Sequence, residues 1–110
     1  FKDMTVRIQY IYGLSGKDLR TIVDDHKKEI GSSAVFTFSE FDSKLNIAVG
    51  ITNELTGNLD ASFFAKEISK FLNGKGGGGR KDFAQAGGEP PSNLKIVYDF
   101  VLELVETKIN

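Results

Sequence analysis

Cysteine and tryptophan are absent from these 110 residues, and histidine and methionine occur once each. Without cysteine the chain can form no disulfide, no thiolate nucleophile and no cysteine-ligated metal site. A single histidine also excludes a multi-histidine zinc site. No apolar run approaches the roughly 20 residues that span a membrane, and no basic segment followed by an apolar stretch opens the chain. We therefore expect no metal, no membrane span and no secretory signal in these residues.

An excess of positive charge is also lacking, because 14 Lys and Arg stand against 15 Asp and Glu, for a formal charge of −1. This balance argues against coating nucleic acid through an overall field, so any contact with nucleic acid must be local. Positive charge is concentrated over residues 66–81, which hold five Lys or Arg against one Glu, whereas the last 22 residues lean acidic. The asymmetry predicts one basic corner on a neutral body.

What is present is the pattern of an α/β (α+β) domain. Alternation with period two is typical of half-buried strands, and apolar residues at i, i+3, i+4 and i+7 are typical of core-facing helices. These patterns predict, in chain order, a strand over residues 5–12, a helix over 16–30, a hairpin of strands over 34–41 and 44–51, a helix over 61–72, a strand over 83–87 and a last helix after residue 92. The order β-α-β-β-α-β-α implies one domain over residues 1–110, a mixed four- to five-stranded sheet with about three helices packed on it.

The predicted helix ends carry suitable capping residues. Ser15, Asp60 and Ser92 stand where N-caps are expected, and Gly31 and Asn73-Gly74 stand where the first two helices should end. The residues of the last helix predicted to face inward are Leu94, Val97, Tyr98, Val101, Leu104 and Val105.

Four consecutive glycines, Gly76 to Gly79, follow the second helix between Lys75 and Arg80. Each ordered glycine costs about 0.5–1 kcal/mol more than alanine, so the run needs a reason. It could be a flexible surface loop. Alternatively, bare backbone lets a phosphate, ribose or base edge approach outward-pointing N–H groups, with Lys75 and Arg80 as phosphate-binding charges. No Lys-Ser/Thr pair follows and the run trails a helix, which excludes a Walker A loop and a Rossmann fingerprint.

The longer string over residues 74–88, GKGGGGRKDFAQAGG, is the most specific signal. It resembles the signature of the DHH-associated domain at the C-terminus of alanyl-tRNA synthetases, GGKGGGRPD(M/F)AQAGG. One glycine is inserted, which shifts the register of Lys75, and Lys81 stands where proline is usual, which should leave the loop more mobile before binding. The likeness continues upstream through Leu19 to Gly31 and Asn46 to Asn53, so it covers nearly the whole chain.

The resemblance implies a tRNA-binding accessory domain with no catalytic residue and no cofactor of its own, belonging to a larger cytoplasmic synthetase. Upstream domains of that synthetase would use ATP, magnesium and zinc to charge and edit alanine tRNA, while this domain holds the outer corner of the tRNA. A helical segment just upstream would allow the parent to dimerise, and the isolated domain is expected to be monomeric. The residues expected to bind tRNA are Lys75, Gly76, Gly77, Gly78, Gly79, Arg80, Lys81 and Gln85.

Two neighbours of these residues have other expected roles. Asp82 is expected to orient Arg80 or the loop backbone, and Phe83 could stack on a base, although its strand-like context favours core packing. His26, in the run DDHKKE, invites a metal or catalytic role. Its helical position among alternating charges instead indicates a solvated face.

Other functions stay open at this point. A similar domain forms the substrate-binding half of DHH-type phosphoesterases, which usually read Gly-Gly-Gly-His, so Arg80 and Gln85 favour the synthetase type. A free-standing editing hydrolase for mischarged alanine tRNA carries a related domain, and these residues do not separate it from a synthetase. A dimerisation or scaffold domain with a passive loop would show a large exposed apolar patch and no tRNA binding.

Overall fold

A mixed five-stranded sheet with helices on both faces makes up the fold, in a computed structural model that describes residues 4–109. In chain order the elements are β1 (Thr5–Tyr12), α1 (Gly16–Ile30), β2 (Ser33–Phe41), β3 (Lys44–Ile51), a short 3-10 helix (Asn53–Leu55), α2 (Ala61–Phe71), β4 (Gly76–Gly79), β5 (Phe83–Gly88) and α3 (Leu94–Ile109). The predicted fold class is confirmed. Among residues 4–109, no helix is long and apolar enough to cross a membrane.

The strand order places the glycine strand at an edge of the sheet. It runs β1-β2-β3-β5-β4, with β1 parallel to β2 and every other pair antiparallel. Helix α1 connects the parallel pair, as a crossover must. The predicted hairpin between β2 and β3 is confirmed: Asp42 and Ser43 have φ of 55° and 63°, which a type I′ turn requires. Because β5 lies between β3 and β4, β4 has one strand neighbour.

Each face of the sheet carries its own apolar layer, because successive side chains of a strand point to opposite faces. In β2, Phe36 and Phe38 point toward α2 and α3, whereas Val35 points toward α1. The larger layer is completed mainly by Leu45, Ile47, Val49, Phe64, Ala65, Ile68, Val97, Val101 and Val105. The smaller layer consists of Leu19, Val23, Val35, Ala48 and Phe83. Helix α1 therefore covers β2 and β3 on one face of the sheet, and α2 covers β3, β5 and β4 on the other.

The predicted N-caps of the first two helices have different outcomes. The Asp60 carboxylate accepts the N–H groups of Ser62 and Phe63 at the start of α2, as predicted. Ser15 occupies the N-cap position of α1, but its hydroxyl donates to the Asp18 carboxylate at 3.2 Å and makes no backbone cap. An N-cap of the Asp60 type contributes about 1 kcal/mol, so α2 starts at a well-defined residue.

Helix α3 begins and packs differently from prediction. Its first turn is capped by Asn93, whose Oδ1 accepts a backbone N–H at 2.9 Å, so the prediction of Ser92 is wrong by one residue. Leu94 and Tyr98, predicted to face inward, are 45% and 50% exposed. They line an open apolar groove of about 270 Å³ beside the edge strand β1. The residues of α3 that face the core recur every four positions, at Val97, Val101 and Val105. This buried stripe is narrower than predicted and leaves Leu94 and Tyr98 at its side.

Candidate nucleic-acid interface

The four glycines form an ordered edge strand, so the prediction of a loop over Gly76–Gly79 is wrong. They pair antiparallel with β5, from Gly76 opposite Gly87 to Gly79 opposite Ala84. Sequence reasoning missed this strand because glycine has a low strand propensity and no side chain to show alternation. The pairing is imposed by β5, whose own apolar residues anchor it in the sheet.

Close backbone packing explains why glycine is needed at two of these positions. A Cβ atom at Gly77 would lie 2.3 Å from the carbonyl oxygen of Gln85, and one at Gly79 would lie 2.5 Å from that of Phe83. Real Cβ atoms essentially never come so close to backbone, so no side chain fits there. Gly79 also has φ of 155°, in the region that favours glycine. The fold itself therefore requires part of the run.

Gly78 lies between these two positions but has free space. A Cβ atom there would meet nothing closer than Cε of Lys66, at 3.9 Å. An antiparallel edge strand turns alternate N–H and C=O groups away from its neighbour, toward solvent. Strand β4 thus offers backbone that a ligand can approach without meeting a side chain.

Ser69 of α2 fixes the start of β4. Its buried hydroxyl donates to the carbonyl of Gly87 at 2.6 Å and accepts the N–H of Gly76 at 2.9 Å. The N–H of Gly74 donates to the Ser69 carbonyl at 2.7 Å. Sequence reasoning did not single out Ser69, although a serine on the apolar stripe of α2 was a possible signal. These bonds define where the exposed Lys75 enters the strand.

Three exposed cations flank β4: Lys75 before it, and Arg80 and Lys81 after it. Nε of Arg80 lies 3.4 Å from a carboxylate oxygen of Asp82, which is the pairing expected for Asp82. The two side chains are 66% and 33% exposed, so the ion pair adds little stability and mainly orients the guanidinium. The carbonyl of Lys81 accepts the N–H of Ala61 at 2.9 Å, which ties the turn to the first turn of α2.

Gln85 is part-buried on the side of β5 that faces α1. Its amide nitrogen donates to the carbonyl of Gly16, in the first turn of α1. This bond uses one of the two N–H donors of the amide, so its carbonyl oxygen and its second N–H can still bond a ligand. Its contact with RNA stays a prediction.

Phe83 and His26 both pack against other residues of the domain. Phe83 is 6% exposed in the layer beneath α1, so its interpretation as a core residue is confirmed. The guanidinium of Arg20, which sequence reasoning did not single out, lies over its ring at 4.5 Å. His26 is part-buried rather than solvated, with Nδ1 3.1 Å from the guanidinium of Arg7. Within residues 4–109, no cluster of three His, Cys, Asp or Glu side chains is placed to hold a metal ion.

Fold and site together define a class: a mixed α/β domain whose sheet ends in a glycine edge strand flanked by cations. A family model described as the DHHA1 domain matches residues 3–107. The chain belongs to the DHHA1 domain family.

Relatives of known name agree with that family. The chain is 45% identical over 98 residues to the alanine–tRNA ligase of Jannaschia sp. (strain CCS1), covering 89% of this chain and 11% of that protein. It is 41% identical over 93 residues to the alanine–tRNA ligase of Thermotoga maritima, covering 84% of this chain and 11% of that protein. The chain therefore spans about a tenth of the length of the curated relatives it matches.

A solved structure is similar as well. The C-Ala domain from Aquifex aeolicus alanyl-tRNA synthetase superimposes with a TM-score of 0.80 and 28% identity, covering 89% of this chain and 87% of that chain. The predicted resemblance to the C-terminal domain of alanyl-tRNA synthetases is confirmed.

Proposed function

We propose that this chain is the tRNA-binding C-terminal domain of an alanine–tRNA ligase, and that β4 with its flanking cations holds the outer corner of alanine tRNA. The observation that carries the proposal is the glycine edge strand, whose accessible backbone lies between Lys75 and the pair Arg80 and Lys81. Relatives at 37% to 46% identity are named alanine–tRNA ligases, which supports tRNA as the partner. Catalysis, with ATP, magnesium and zinc, would belong to other parts of the parent enzyme.

The charge distribution supports local contact with the RNA backbone. Lys66 of α2 is exposed beside Gly78, so the cationic surface extends from the turn onto the helix. Phosphate contacts fix the position of a nucleic acid, and backbone N–H groups can share them with Lys and Arg. With about two to four phosphates engaged, log K should fall against log salt with a slope of roughly two to three. Binding by the isolated domain is therefore expected to be weak and salt-sensitive.

Arg80→Gln is expected to weaken binding of an alanine tRNA transcript and to lower the salt slope by about one unit, because one phosphate contact is lost. Fluorescence anisotropy between about 50 and 200 mM KCl measures both quantities. Lys95→Gln is the matched control: it removes a cation from α3, beside the opposite edge of the sheet, and should change neither. Unchanged affinity and slope in both Arg80→Gln and Lys75→Gln would place the RNA site elsewhere.

The scaffold alternative has one observation in its favour. Tyr12, Leu94 and Tyr98 are 66%, 45% and 50% exposed near β1, and a scaffold domain was expected to show an exposed apolar patch. The same titration separates the two functions, since a purely structural domain would show no salt-dependent binding of tRNA at low ionic strength.

A further inference from the structure

An open groove of about 270 Å³ lies between α1 and β4, at the edge of the sheet that carries the proposed RNA site. Its walls come from three separate parts of the chain. Arg20 contributes from α1, Gly78 from β4, and Phe83 and Gln85 from β5, while Arg80 begins the turn that follows β4. The groove therefore adjoins the glycine backbone of β4 and adds side chains from α1 and β5 to it.

Arg20 is held in this groove as a flat platform. Its guanidinium carbon lies 4.5 Å from the centroid of the Phe83 ring, and its Nε lies 3.7 Å from the Asp24 carboxylate. The side chain is nevertheless 51% exposed. A guanidinium is planar and less strongly hydrated than an ammonium group, so a face left open by such packing suits stacking. Because the group is already positioned, binding would cost little side-chain entropy.

Gln85 adds a hydrogen-bonding amide to the lining of the groove. One N–H of its amide donates to the Gly16 carbonyl, which holds the amide in place and leaves its carbonyl oxygen, with the second N–H, able to bond a ligand. That oxygen can accept an N–H from the edge of a nucleobase. Unpaired bases in RNA loops are recognised by this combination, stacking on arginine planes or aromatic rings with hydrogen bonds at the base edge.

We propose that the groove takes one unstacked nucleobase of the bound RNA, stacked on the Arg20 guanidinium and donating an N–H to the carbonyl of Gln85. The proposal rests on the proposed function and adds a contact of a different kind. Arg80 would attract a phosphate through its charge, whereas Arg20 would stack the flat face of its guanidinium on a base. Because every base has a flat face and an N–H edge, the groove tolerates different bases and selects for a base that is free to leave its stack.

Arg20→Lys tests this directly, since it keeps the charge and removes the plane. We expect about 5- to 10-fold weaker binding of an alanine tRNA transcript, as for the loss of one stacked base, with an unchanged salt slope. Arg80→Gln is the contrasting variant, because it should lower the slope. A thermal melt of each variant checks that the fold is retained, which is expected because Arg20 is half exposed.

A second readout locates the base. Transcripts carrying 2-aminopurine at single unpaired positions of the outer-corner loops should show a fluorescence change at one position with the unmodified domain, and none there with Arg20→Lys. Equal affinity of Arg20→Lys, or a lowered salt slope, would overturn the stacking proposal while leaving the proposed function intact if Arg80→Gln still lowers the slope. If the unmodified domain bound no tRNA at low ionic strength, both proposals would be wrong.

Discussion

Gly77→Ala is expected to destabilise the domain by about 3 kcal/mol or more, the upper part of the range for overpacking. The new methyl group would lie 2.3 Å from the Gln85 carbonyl oxygen and 2.5 Å from Cα of Ala86. Both atoms belong to β5, which also pairs with β3 and so cannot move away without breaking a second ladder. Strand β4 would separate instead, and the proposed RNA-binding edge should be lost with it.

Gly78→Ala is the matched control, one residue along the same strand. Its methyl group would meet only Cε of Lys66 within 4 Å, at a distance of 3.9 Å. We expect its stability to stay within about 0.5 kcal/mol of the parent, because a tolerated alanine also lowers the entropy of the unfolded chain. Urea denaturation followed by circular dichroism gives both free energies of unfolding. Equal destabilisation by the two variants would contradict the close packing of β4 on β5.

The same control separates stability from RNA binding. Gly78 lines the groove beside Arg20, so a methyl group there takes space that an approaching nucleotide would use. Gly78→Ala should therefore weaken tRNA binding in a domain that unfolds at the same urea concentration. If tRNA affinity were unchanged, close approach to β4 would not be part of binding, and flanking charge alone would account for the interaction.

Phe64→Ala has the other large expected effect, a loss of about 3–5 kcal/mol in the free energy of unfolding. Phe64 is fully buried between α2 and the sheet. Its ring meets Phe36 edge-on at 5.4 Å and Phe63 at 5.6 Å, contacts that add to simple area burial. Domains are stable by only about 5–15 kcal/mol, so this change would leave the fold marginal. Because Ser69 on the same helix holds β4, the proposed RNA-binding edge should weaken too.

Phe41→Ala provides the comparison for that loss. Phe41 is the last residue of β2 and is 46% exposed, so its truncation leaves no enclosed cavity. We expect it to cost less than about 1 kcal/mol. Thermal and urea unfolding of the two variants give the difference. A Phe64→Ala variant as stable as Phe41→Ala would show that α2 does not seal the larger apolar layer.

Elements with strong periodicity were predictable from the sequence, and elements without it were not. The alternating runs of β1 and β3 were predicted with the bounds that the structure has, because large apolar residues recur at every second position. Strand β4 has no such pattern, since its pairing is decided by β5. The pairing of β5 with β3, which inserts β5 between β3 and β4, is non-local. Local sequence carries no signal for it.

The sequence predicted where the candidate site lies, but not which contacts between distant residues form it. The signature string identified the glycines and the cations around them, and Asp82, expected to orient Arg80 or the loop backbone, pairs with Arg80. Arg20 was missed because it lies on another helix and reaches the groove only through its contact with Phe83. The commitment of the Gln85 amide to Gly16 was also invisible, since it links residues far apart in the sequence.

The position of β4 outside β5 has a consequence for local opening of the fold. A terminal strand of four glycines regains much backbone entropy when it peels away, and no buried side chain of its own resists that motion. Its amide hydrogens should exchange with deuterium faster than those of the inner strands, and bound RNA should slow them. The affinity measured for RNA then includes the free energy of keeping β4 paired with β5. A substitution elsewhere in the domain that stabilises this pairing would therefore tighten binding without adding a contact to the RNA.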